Sequence, residues 1–189
     1  MPPDGARPRR ADAARNRQLL IDAARKLIDE SGPALVMDEV ARRAGVANAT
    51  LYRNFPARSD LLVAVYAGDV DELCDQGTAL LQEASPGAAL FTWMDSFVRH
   101  VAARRPLALA ATEGSEQRGE LFSRWHERMG KTAAPLLTRA KEAGAVRGDL
   151  TAQDILALAN AAAIAGTGPD DARRLLGVMR LGFAARAGE

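Results

Sequence analysis

The sequence predicts an all-α fold of about nine helices, and three observations predict it. Apolar residues recur at three- and four-residue spacing along most of the chain, as in Leu20, Ala23, Ala24, Leu27 and Ile28. Period-two alternation bounded by turn residues, the mark of a half-buried strand, is found nowhere. Gly and Pro punctuate the periodic stretches, at Ser31-Gly32-Pro33, Gly45, Phe55-Pro56, Ser85-Pro86-Gly87 and Gly144.

Residues 1–13 (MPPDGARPRRADA) have no periodicity and read as a disordered basic tail. A first helix starts near Arg15. Ser31-Gly32-Pro33 ends it, because Gly accepts the left-handed cap and Pro33 disfavours helix in the residue before it. A short second helix turns Met37, Val40, Ala41 and Ala44 inward and sets Asp38 and Glu39 in its first turn, where the helix dipole favours negative charge. Gly45 stops it. A third short helix, about Asn48 to Asn54, ends at Phe55-Pro56.

A long helix from about Arg58 towards Glu83 carries Leu61, Leu62, Val65, Val70, Leu73 and Leu80. The next, with Leu90, Trp93, Phe97 and Val101, is apolar around most of its circumference, and Pro106 divides it from a short segment, Leu107–Thr112. Gln117–Ala143 follows, with Pro135 either kinking it or splitting it in two. Thr151 and Asp154 resemble a capping box ahead of Ile155–Ala165, an Ala-rich stretch apolar on every face that must be covered on several sides. The last helix spans about Asp170–Ala187.

Composition narrows the function. With 189 residues, 48% apolar and 26% charged, the chain has the balance of a globular protein, and its 5% aromatic content requires an aliphatic, Ala-rich core. The net charge of +1 hides an asymmetry: residues 1–58 sum to +4 and the rest to −3, which points to a polyanion partner at one end. Cys74 is the only cysteine and lies among Asp71, Glu72 and Asp75, a setting that does not activate a thiol. Without a disulfide, a signal peptide or an apolar run near the ~20 residues of a membrane span, the expectation is a cytoplasmic protein with no membrane partner. His100 and His126 are 26 apart, and there is no His-Glu-x-x-His, Cys-x-x-Cys, nucleophile elbow or phosphate loop. No metal, no cofactor and no enzymatic activity are expected.

The informative stretch is Met37 to Phe55, MDEVARRAGVANATLYRNF. Two short amphipathic helices joined at Gly45 make a helix-turn-helix, whose corner needs a residue that tolerates positive φ. The second helix is about 10 Å long and fits a major groove about 12 Å wide. Its outward residues, Asn48, Ala49, Thr50, Tyr52, Arg53 and Asn54, suit duplex DNA. Asn pairs with adenine, Arg with guanine, a small Ala meets a thymine methyl, and hydroxyls reach phosphates. Asn48 either reads a base or caps its own helix. Arg58 adds a cation at the start of the following helix.

The segment Leu19–Leu62 resembles the DNA-binding domain of the tetracycline-repressor (TetR) family. The likeness is carried by AA-x-x-L-I at Ala23–Ile28, V-A-x-x-A-G-V at Val40–Val46, T-L-Y-x-x-F at Thr50–Phe55, and Pro56 followed by Arg58. It implies a head over residues 14–58 that contacts DNA through Met37, Ala47, Asn48, Ala49, Thr50, Tyr52, Arg53, Asn54 and Arg58. It also implies a helical effector-binding and dimerisation domain over 59–189. Where the family often has a capping Thr before the second helix, this chain has Val36, which cannot cap.

The implied protein is a homodimeric repressor, released from a palindromic operator by a small-molecule effector. For the effector pocket the sequence offers Trp93, Met94, Phe97 and His100 on one helix and Phe122, Trp125, His126 and Met129 on another. The same residues equally suit a packed core. For the dimer interface it offers Ile155, Leu158, Ala162, Leu175, Leu176, Met179 and Phe183, which equally suit the core of a monomer.

Overall fold

The computed structural model describes residues 6–111 and 118–183, and among these it holds eight helices and no strand. They are α1 (Ala6–Ser31), α2 (Met37–Ala44), α3 (Asn48–Asn54), α4 (Arg58–Leu80), α5 (Pro86–Ala111), α6 (Arg118–Glu142), α7 (Ala152–Ala165) and α8 (Pro169–Phe183). Eight stand where about nine were expected because Pro106 does not end its helix. Leu107, Ala108 and Ala111, spaced for one helical face, are buried beyond it and hold α5 through the lost hydrogen bond. Pro135 likewise lies inside the single helix α6.

The first helix begins at Ala6, well before Arg15, so residues 6–13 of the expected basic tail are helical; residues 1–5 lie outside the described ones. Pro8 is no obstacle, since the N–H groups of a first turn have no partner within the helix. The expected end of the last helix, residues 184–187, also lies outside the described residues.

Two compact units divide the chain, one formed by Met1–Ala67 and Pro106–Ser115, the other by Gly68–Arg105 and Glu116–Glu189. The division falls inside α4, whose first residues, with Leu61, Leu62, Val65 and Tyr66 buried, belong to the first unit. In that unit α1, α2 and α3 pack on one another around Leu20, Ala24, Val40 and Leu51, all closed to solvent.

In the second unit Trp93, Met94 and Phe97 of α5 and Trp125, Met129 and Leu136 of α6 are buried. The Trp93 indole donates to the Leu73 carbonyl at 3.0 Å, so its one polar atom is satisfied inside the core. The α7 helix packs on α6 and α8. Its start is the expected capping box: the Thr151 hydroxyl accepts from the Asp154 N–H (3.1 Å) while the Asp154 carboxylate accepts from the Thr151 N–H (2.8 Å).

Candidate nucleic-acid interface

The corner between α2 and α3 is built by backbone geometry. Gly45 takes φ 66° and ψ 30°, its N–H donates to the Arg42 carbonyl (3.2 Å), and the Val46 N–H donates to the Ala41 carbonyl (3.0 Å). These paired bonds close the end of α2 and turn the chain into α3. Val46 is half-buried beneath the turn. At the other end of α2 the Val36 side chain forms no capping bond, as its chemistry requires.

The α3 helix has only seven residues and two distinct faces. Leu51, and Phe55 at its end, are buried; Asn48, Ala49, Tyr52 and Arg53 face solvent, with Tyr52 47% exposed. Ala47 and Arg58 are exposed too, while Met37, Thr50 and Asn54 are half-buried. Seven of the nine sequence-predicted residues thus lie on α3 or at its N-cap, Met37 starts α2 and Arg58 starts α4, and not all nine face outward.

Asn54 Nδ2 donates to the Thr50 carbonyl (2.8 Å), which turns that amide onto its own helix. Arg53 lies along the same helix, Nε to the Ala49 carbonyl at 3.2 Å and Nη2 to Thr50 Oγ1 at 3.0 Å. Asn48 does not cap α3. The N-cap is Ala47, and Asn48, one residue inside the helix, donates its amide to Asp38 Oδ1 at 3.1 Å.

Charge on this surface is partitioned. Arg42 is held by Glu39 (Nε to Oε2, 2.7 Å) and Arg43 by Glu30 of α1 (2.6 Å), so both α2 cations are neutralised locally. The Arg42 hydrogen bond keeps the Glu39 carboxyl below its ordinary range. Arg53 and Arg58 remain exposed, and Arg17 of α1 stands 5.0 Å from the centre of the Phe55 ring at the end of α3. Sequence reasoning missed Arg17 and Asp38 as parts of this surface. Asp38 reads only as a helix-dipole residue, since nothing local shows that the turn brings it to Asn48.

In the second unit most of the expected pocket residues are buried. Trp93, Met94, Phe97, Trp125 and Met129 are buried, with Trp93 and Phe97 rings 5.8 Å apart and Phe122 edge-on to Trp125 at 5.5 Å. His100 is half-buried, and burial, then the nearby Arg104 cation, lowers its pKa to about 4. His126 alone of the eight lines a groove of about 660 Å³ between α6 and α7. Gly130, Ala134, Ala152, Leu156 and Ala157 supply its apolar wall, and Lys131 and Asn160 supply polar groups.

The expected interface residues divide similarly. Ile155, Ala162, Leu176 and Phe183 are buried within the chain itself, Leu175 and Met179 are half-buried, and Leu158 is exposed. The uncovered apolar residues of α7 and α8 are Leu158, as expected, and also Ile164, Val178 (60% exposed) and Leu181 (82% exposed), beside exposed Ala157, Ala161 and Gly177. Among the described residues no cluster could hold a metal ion, and no helix is long and apolar enough to cross a membrane.

A three-helix unit that sets a short helix on a glycine corner, polar outward and anchored by Leu51 and Phe55, defines a helix-turn-helix DNA-binding protein. Known proteins carry this further. Residues 20–65 match the family model of bacterial regulatory proteins of the tetR family, and residues 85–185 match that of the SbtR-like transcriptional regulator C-terminal domain. The chain belongs to the TetR family of transcriptional regulators.

A solved TetR transcription regulatory protein from Mycobacterium vanbaalenii is 34% identical, with a TM-score of 0.73 over 93% of this chain and 99% of that one. The TetR regulator SCO0520 from Streptomyces coelicolor is 30% identical, with a TM-score of 0.73 over 90% and 99%. An HTH-type transcriptional regulator of Staphylococcus aureus (strain USA300) is 41% identical over 63 residues, which span 33% of this chain and 34% of that relative.

Proposed function

We propose that the protein is a homodimeric cytoplasmic repressor, which binds a palindromic operator and is released by a small-molecule effector. The observation that carries the operator reading is the solvent face of α3. Asn48, Ala49, Tyr52 and Arg53 are exposed on a helix whose other side is locked into the core. Amide, methyl, phenol and guanidinium groups on one short helix match what major-groove edges and flanking phosphates offer. Arg17 and Arg58 add cations for the backbone.

One such helix touches few base pairs, so two copies must act together on inverted half-sites. The uncovered stripe of Leu158, Ile164, Val178 and Leu181 supports pairing of α7 and α8 with their mates, and Ala161 and Gly177 permit close approach. The α6/α7 groove, about 660 Å³, has the size and apolar wall of a small-molecule site. We assign it to the effector. In this reading the head is residues 14–58 and the rest serves effector and dimer.

Selection of bound fragments from a random DNA pool tests the function. An inverted repeat bound by two chains, with affinity falling steeply as salt rises, is expected. Enrichment of no sequence, and binding no tighter than to arbitrary duplex, would overturn it.

A further inference from the structure

Asp38 and Asn48 lie on different helices, on either side of the Gly45 corner, and both are exposed. They meet through one hydrogen bond, Asn48 Nδ2 to Asp38 Oδ1, 3.1 Å. A carboxylate only accepts, so the amide has one permitted orientation beside it: NH2 towards Asp38, carbonyl oxygen away. We propose that Asp38 is a positioning residue that sets the base preference of α3. By fixing the Asn48 amide, it makes the pair select a base with an amino group on its major-groove edge, cytosine or adenine, at one position in each half-site. This rests on the operator-binding reading above.

The chemistry follows from what the pair leaves available. Asn48 Oδ1 and the second Asp38 oxygen are acceptors, and they match the N4 amino group of cytosine or the N6 amino group of adenine. With adenine, the remaining Asn48 amide hydrogen is available to N7. Guanine O6 and thymine O4 would meet those oxygens acceptor to acceptor and could use only the one remaining amide hydrogen, whereas cytosine and adenine also donate to an oxygen of the pair. Without Asp38 the amide is free to rotate by half a turn and offer its NH2 to guanine or thymine instead. A carboxylate facing phosphates adds nothing to affinity. Its contribution is discrimination, which separates Asp38 from the arginines of the same surface.

The test is selection from a random pool with the full chain, using the unaltered protein, Asp38→Ala, Asp38→Asn and Asn48→Ala. In the unaltered protein we expect cytosine or adenine to be favoured about tenfold over guanine and thymine at one position per half-site. Asn48→Ala abolishes that preference, and both Asp38 variants reduce it at the same position to within about twofold of none, with the other positions kept. Asp38→Ala also binds arbitrary duplex no less tightly than the unaltered protein. Full preference in Asp38→Ala where Asn48→Ala has lost it would overturn the proposal, as would guanine or thymine at the position Asn48 governs. Either result leaves operator binding standing. An unaltered protein that enriches nothing overturns both readings.

Discussion

Gly77 of α4 and Trp93 of α5 touch so closely that no carbon fits between them. A Cβ on Gly77 would stand 2.7 Å from Trp93 Nε1 and nearer still to Thr132 Cγ2. The contact lets the buried indole reach the Leu73 carbonyl one turn earlier on α4. Gly77→Ala therefore sets two effects against each other. Ala favours the helix by about 1 kcal/mol, while overpacking against a buried indole and a β-branched neighbour costs about 1–3 kcal/mol. Because neither neighbour is a flexible chain end, the clash wins, and the midpoint of urea unfolding falls.

Gly45→Ala separates backbone strain from crowding. Nothing lies within 4 Å of the position a Cβ would take, yet φ is +66°. The loss is then the left-handed conformation alone, about 1–2 kcal/mol. A thermal melt followed by circular dichroism reads it, and an unchanged midpoint would show that the corner relaxes freely.

Asp69, 7% exposed, pairs with Arg104 at 3.0 Å in the second unit. Removing one partner of a fully buried pair costs about 3–5 kcal/mol, and less here because the Arg104 side chain is 22% exposed, whereas replacing both with apolar groups is often near neutral. Asp69→Ala should destabilise strongly, and adding Arg104→Met should recover much of the loss. Equal denaturation midpoints for the single and double variants would show that the charge is not the cause.

His100 gives stability a pH dependence of defined sign. Its folded pKa is lowered to about 4, chiefly by burial and then by Arg104, against a value of 6.5 when exposed. The unfolded chain thus binds the extra proton first as pH falls. The contribution is complete above about pH 6.5 and is lost through pH 4, with a total on the order of 3 kcal/mol. Carboxyls held low by neighbours, such as Glu39 beside Arg42, act mainly below this window. His100→Gln should flatten the unfolding free energy between pH 4.5 and 6.5. A slope that survives the substitution would locate it elsewhere.

The DNA-reading head was legible in the sequence because its determinants are local. The spacing of Val40, Ala41, Leu51 and Phe55 and the single corner at Gly45 specify two helices and which of their sides faces in. Longer-range features were not. Pro106 signals a break, and only the burial of Leu107, Ala108 and Ala111 shows why the helix continues. Trp93 and Phe97 read equally as core or cavity, because composition does not say whether neighbouring helices close over them. Ile155, Ala162, Leu176 and Phe183 carry no mark that separates a core shared with another copy from the chain's own core. Asn48 depends on Asp38 across the turn, a pairing that no local spacing encodes.

The most direct measurement is the affinity of Tyr52→Ala for the selected inverted repeat, at matched salt, beside its melting curve and its mass in solution. Tyr52 is 47% exposed on α3 and holds no part of the core, so its loss should leave the fold and the mass in solution unchanged. Operator binding should weaken roughly 5- to 150-fold, the range of one specific groove contact. Unchanged affinity in a variant that is folded and dimeric would contradict the assignment of α3 as the DNA-reading helix.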